Sequence, residues 1–231
     1  MRIWCVVACV TGLALGAEPC GAVGINLGWD YCGPTAGSNK DFACDNNAGA
    51  DSFVVSFVPP SGLPPIYLVG CRVRISTYGG AILPDWWRLH ATGCRSSSLT
   101  VTVAPGASAG VCDTVPSVIS GWTYFVSGSD AWQALLGVET GPMAPGVELT
   151  PGREYFLARV RLNHARTVDG DSCAGCSVRM LLDLPVVELS DSQGFPISMY
   201  NADRQQTITW QAGLVPVISR SWGQIKGLYR R

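Results

Sequence analysis

The sequence predicts an all-β fold, a mainly antiparallel β-sandwich held by disulfides. Three observations predict it. Short runs alternating apolar and polar residues recur along the chain. Gly- and Pro-rich stretches separate them. An even set of cysteines remains once a leader-like N-terminus is set aside.

The elements follow in chain order. Residues 1–17, "MRIWCVVACVTGLALGA", place one arginine ahead of an apolar run and then small residues, the layout of a secretory signal peptide. That run is too short for a membrane span, and no later segment reaches the ~18 apolar residues a transmembrane helix needs. Residues 18–231 then read as one β-sandwich domain. Within it, 24–50 are rich in Gly, Asn and Asp and read as an irregular segment tied down by cysteines. "SFVVSFV" (52–58) is a strand stopped by Pro59 and Pro60. In "CRVRIS", Cys71, Val73 and Ile75 share one face and Arg72 and Arg74 the other, as in a half-buried antiparallel strand. "SLTVTV" repeats the pattern with Leu99, Val101 and Val103, and "GWTYFVS" (121–127) is aromatic and β-prone. "YFLARVRLN" puts Phe156, Ala158, Val160 and Leu162 on one side. "SVRMLLDLPVVELS" does the same with Val178, Met180, Leu182 and Leu184 before Pro185 breaks or kinks it. "QTITWQ" (206–211) is a last short strand. Helices are expected only at "DAWQALLGVE" (130–139) and at the C-terminal "SWGQIKGLY". Such a succession suits a jelly-roll or immunoglobulin-like arrangement.

Composition excludes some functions. Hydrophobic residues make up 47% and charged ones 14%, too apolar for a disordered chain. A net charge of −1 gives no electrostatic case for nucleic acid.

Of ten cysteines, Cys5 and Cys9 fall in the leader, which leaves eight. In an exported chain these read as disulfides. Short-loop spacing favours Cys32–Cys44, Cys94–Cys112 and Cys173–Cys176, with Cys20 left for Cys71. The block "HARTVDGDSCAGC" (164–176) raises the alternatives of a redox or metal site. A redox C-x-x-C works from a helix N-terminus in a βαβ setting, and a zinc site wants a second cysteine pair. Here the motif lies between strands and stands alone, so a structural staple is the expectation.

Other candidate sites carry bland alternatives. His164 suits a half-buried histidine hydrogen-bonded at a strand end. "GASAG" (106–110) matches the serine-hydrolase elbow G-x-S-x-G, with Ser108, Asp130 or Asp113, and His164 in a permissible order. No helix is expected after it, though the elbow requires one. Asp45, Asn47 and Asp51 in "DNNAGAD" have oxygen ligands at a spacing that suits a looped calcium site; Asx-rich turns make the same string without metal. Trp86 and Trp87 would face opposite sides of a strand, leaving one exposed as a platform for polysaccharide; tryptophans also fill sandwich cores. In residues 220–231, Trp222, Ile225, Leu228 and Tyr229 share one helix face beside Lys226, Arg230 and Arg231, which suits a docked terminus or a sorting tag.

The blocks "NLGWDYCG…KDFAC", "PDWW…GCR", "LNHARTV…CAGC", "ITWQ" and "SWGQIKGLYR" resemble an uncharacterised family of exported bacterial proteins. The resemblance implies export and one domain, and transfers no catalytic residue. Cys20 and Cys71 are not part of its pattern. The sequence thus points to an exported, non-enzymatic envelope or extracellular protein for adhesion, surface structure or binding another envelope protein. A carbohydrate-binding module and a secreted hydrolase are the alternatives.

Overall fold

The computed structural model describes residues 23–33, 35–103, 112–116, 119–127, 131–141, 145–200 and 204–213. Their elements are β1 (Gly24–Trp29), β2 (Asn39–Lys40), β3 (Ala50–Val58), β4 (Leu68–Thr77), a 3-10 turn (Asp85–Trp87), β5 (Leu99–Thr102), β6 (Asp113–Thr114), β7 (Ile119–Ser127), β8 (Gln133–Gly141), β9 (Tyr155–Asn163), β10 (Met180–Ser190), β11 (Pro196–Met199) and β12 (Thr207–Trp210). One sheet runs β1-β3-β9-β5, with β6 added on β9. The other runs β2-β12-β10-β4-β8-β7, with β11 added on β10. Pairing is antiparallel except for β6 with β9 and β2 with β12. The expected all-β, mainly antiparallel sandwich is what the chain forms.

The core lies between the sheets because alternate residues of both point inward. Val73 and Ile75 of β4, Leu136 and Val138 of β8, Val160 and Leu162 of β9 and Leu182 of β10 are fully buried there. Arg72 and Arg74 face away, as the alternation requires. Four tryptophans, Trp29, Trp86, Trp87 and Trp210, pack together, with Trp86 stacked on Trp210 at 5.2 Å between ring centroids.

Several elements differ from the expectation. Residues 24–29 form a fully buried strand, paired with β3 from Gly24–Val58 to Trp29–Phe53. Its glycines lower the apparent β-propensity, yet a side chain at Gly28 would collide with Ala36, so the close approach requires glycine. The expected helix at 130–139 is instead β8. Ala134, Leu136 and Val138 point to the core, and pairing with β4 on one side and β7 on the other overrides the helical preference of Ala-Leu-Leu. A bulge in β9 opposite Val55–Ser56 breaks the alternation, so Tyr155 and Leu157 join the main core. Phe156 turns outward to a small cluster of Val54, Cys32 and Cys112. Pro185 sits exposed at a bulge between Asp183 and Val186, so β10 is kinked and continues to Ser190. The leader at 1–17, the C-terminal helix and the tag at 220–231 lie outside the described residues.

Candidate functional site

Two regions contend for function: the loops around the C-x-x-C motif and the outer face of the larger sheet. In the loops, Cys173 and Cys176 are not bonded to each other. Cys44 pairs with Cys176 and Cys94 with Cys173, while Cys32 pairs with Cys112. The expected pairs Cys32–Cys44, Cys94–Cys112 and Cys173–Cys176 are therefore corrected. Short loops favoured them, but the fold brings residues 79 to 132 positions apart side by side. Between the two cysteines, Gly175 takes φ +98°, and a side chain there would overlap Pro84. The motif is a turn whose two sulfurs tie it to two different loops. Cys71 has a free, buried thiol that burial pushes up to about 12, against a weaker opposing hydrogen bond at Val138. Its expected partner Cys20 lies outside the described residues.

The calcium candidates are not gathered into one ligand set. The side-chain oxygen of Asn47 accepts hydrogen bonds from the backbone N–H groups of Thr167 (2.7 Å) and Val168 (3.0 Å), and its amide donates to Asp169 (2.9 Å). It thereby joins its own loop to the 163–176 loop. The Asp45 carboxylate accepts from Asn46. Asp51 points inward and meets His164 Nε2 at 2.8 Å and Lys40 Nζ at 3.1 Å. The described residues hold no group of three His, Cys, Asp or Glu side chains placed to bind a metal ion.

His164 is buried at the end of β9, as a strand-end histidine would be, and stacks on Phe42 at 3.7 Å. Its Nδ1 lies 2.7 Å from the Ala48 carbonyl, which can only accept, so Nδ1 carries a proton. Its Nε2 lies 2.8 Å from the Asp51 carboxylate. Burial lowers the Lys40 pKa, but hydrogen bonds to Asp30 and Asp51 outweigh it and hold the pKa above its ordinary value. Of the hydrolase candidates, Ser108 and Asp130 lie outside the described residues. Asp113 pairs with Arg153 at 2.9 Å, while the ring nitrogens of His164 are bound to Ala48 and Asp51.

Trp86 and Trp87 are fully buried, so neither is the expected sugar platform. They sit in a 3-10 turn, where strand parity does not apply. Trp86 Nε1 donates to Thr167 at 3.0 Å, and the Arg95 guanidinium lies 3.4 Å over the indole. Arg95, only 1% exposed, donates to the carbonyls of Trp86, Ala165 and Asn163. Burial pulls its pKa down to about 9, which leaves it charged at neutral pH. Sequence reasoning passed over Arg95, whose only signal was its place beside Cys94. Disulfides and side-chain hydrogen bonds tie these loops together, although Trp87 Nε1 and His90 Nδ1 are buried without a hydrogen-bond partner among the described residues.

The outer face of β4, β8 and β7 is open. Gly121, Thr123 and Phe125 of β7 lie opposite Glu139, Gly137 and Leu135 of β8 on that face, with Arg72 beyond on β4. Gly121 and Gly137 leave a hollow, because a Cβ at Gly121 would meet nothing within 4 Å. The result is a groove of about 420 Å³ lined by Arg72, Trp122, Thr123, Phe125, Leu135 and Glu139, among others. Trp122 is 43% and Phe125 49% exposed. Among the described residues β7 pairs with β8 alone, and no described strand pairs with its other edge. The strand ISGWTYFVS contains no proline and no charged residue, the usual guards of an exposed edge. Sequence reasoning found this strand and missed the edge. The missing charge was the available signal.

No protein-family model matches the chain, and no curated relative is found. Among solved structures, it is similar to a cohesin module from a family 33 glycoside hydrolase of Clostridium perfringens, at 8% identity and a TM-score of 0.36, covering 81% of this chain and 94% of that one. It is also similar to the second type II cohesin module of the cellulosomal adaptor ScaA scaffoldin of Acetivibrio cellulolyticus, at 10% identity and a TM-score of 0.37, covering 81% and 96%.

Proposed function

We propose that this chain is an exported, non-enzymatic β-sandwich that binds a protein partner in the cell envelope or extracellular space. The observation that carries the reading is β7, where Phe125 on the outer face and Trp122 on the opposite face stand half-exposed along an unguarded strand edge beside a groove. Exposed apolar surface of this kind marks interaction sites, and free edges accept added strands. Three disulfides support an oxidising compartment. No helix among the described residues is long and apolar enough to cross a membrane.

One observation favours carbohydrate as a second reading: the same groove sets the half-exposed Phe125 ring on one face with Arg72, Thr123 and Glu139, an aromatic surface with polar groups around it. A single experiment separates the two. The purified protein is immobilised and offered envelope and secreted proteins from the producing cells, and in parallel its migration through polysaccharide gels is followed. Protein capture that the double substitution Trp122→Ser, Phe125→Ser abolishes supports the proposal. Retardation by a polysaccharide without protein capture moves the function to sugar binding. Equal capture by wild type and variant removes this face from either role.

A further inference from the structure

We infer that β7 is a self-pairing edge, through which two copies of this chain join into one continuous sheet. This rests on the reading of the face as a protein interface and names its occupant. The argument begins with register. An antiparallel β7–β7 pair centred on Thr123 places Thr123 opposite itself, Trp122 opposite Tyr124, and Gly121 opposite Phe125. On the outer face, the Phe125 ring of each copy then lies over the open Gly121 position of the other. An aromatic covering a cross-strand glycine is a known means of stabilising a sheet. On the other face, two Trp–Tyr pairs form, and aromatic cross-strand pairs stabilise strand pairing. The same residues answer each other in both directions, as a two-fold interface requires.

Charge agrees with this occupant. β7 has no acidic or basic side chain, so self-pairing sets no like charges opposite one another. Beyond it, Gly121 lies opposite Glu139 while Phe125 lies opposite Leu135, which is opposite Arg74. Each outer row of the joined sheet therefore runs from an acid of one copy to a guanidinium of the other. Nine strand residues a side, with three aromatics, bury about 1,000 Å² in total, the lower bound for a specific interface. An interface at this lower bound belongs with the weak, transient ones, so the association is sought at high protein concentration.

Sedimentation velocity of the purified protein from about 1 to about 500 μM tests the inference over the range where such an affinity shows. The expected result is a reversible shift from monomer to dimer. Thr123→Lys places two ammonium groups opposite each other, so this variant should stay monomeric while unfolding at the wild-type temperature. Thr123→Cys should be joined into a dimer by a short bismaleimide, while the exposed Thr100→Cys on β5 should not. A wild type monomeric throughout, or a dimer that Thr123→Lys leaves intact, overturns self-pairing. If capture of a different protein is then still lost in Trp122→Ser, Phe125→Ser, self-pairing falls and the protein-binding reading stands.

Discussion

Around Cys173 and Cys176, the side chains of Asn47, Arg95, His164 and Thr167 all find partners within the chain, and two disulfides lock the loops that carry them. Along β7, one whole edge of backbone has no partner among the described residues, and two large aromatics stand half in solvent. The residue types that suggest chemistry, His, Asp, Cys and Trp, collect in the first region, where His164, Asp51, Trp86 and four cysteines are used in holding the fold. The second region is made of Gly, Thr, Trp and Phe, and has nothing to satisfy it from within. In this molecule the region that holds the fold and the face proposed for recognition are different surfaces, so substitutions should separate them.

The largest effect is expected from breaking the stapled region. Cys94→Ala with Cys173→Ala opens a loop of 79 residues; long loops of this kind stabilise by about 4 kcal/mol, read as a fall in the urea midpoint. Arg95→Met is next. It leaves the carbonyls of Trp86, Ala165 and Asn163 without their donor, for a loss of about 3 kcal/mol by chemical denaturation. Gly175→Ala, forced into a positive φ and against Pro84, should lose about 2 kcal/mol in the same measurement.

Cys71 gives a smaller, pH-dependent effect. Its thiol is held at about 12 in the folded protein against 9.0 for the free group. The folded state therefore keeps a proton that the unfolded state releases. The contribution is complete below pH 9 and declines as pH rises toward 12, at about 1.4 kcal/mol per unit. Cys71→Ala should flatten the alkaline limb of a stability-versus-pH curve, and an unchanged limb would contradict the burial of this thiol. The smallest stability effect is expected from Trp122→Ser and Phe125→Ser. Each should stay within about 0.5 kcal/mol of wild type, as exposed positions do, while abolishing association. A large loss of stability there would erase the division between the two regions.

The sandwich was legible where alternation survives along a strand, as in Arg72–Ile75 and Leu99–Val103. It was not legible at Gly24–Trp29, where glycines needed for close approach mask a buried strand. Nor was it legible at Gln133–Gly141, where pairing on both sides decides the conformation. The cysteines marked disulfides, but their partners depend on which loops the sheets bring together, and local spacing does not encode that. Trp86 and Trp87 were assigned strand parity and occupy a 3-10 turn, which buries both. For the β7 face, the strand was visible in its residues. Its position at the end of a sheet is a property of topology, and only the absence of charge hinted at it.

The divided allegiance of Cys173 and Cys176 bears on how the chain matures. On the proposed export route, with the N-terminus leaving a translocation channel first, the chain would offer Cys32 and Cys44 to each other long before Cys112 or Cys176 emerged. Cys94 and Cys112 follow, and then the two neighbours of the C-x-x-C turn. Each of these first encounters joins cysteines that the folded protein bonds elsewhere. An oxidant alone would trap them, so efficient production calls for a thiol isomerase that reopens the early bonds until both sheets have closed.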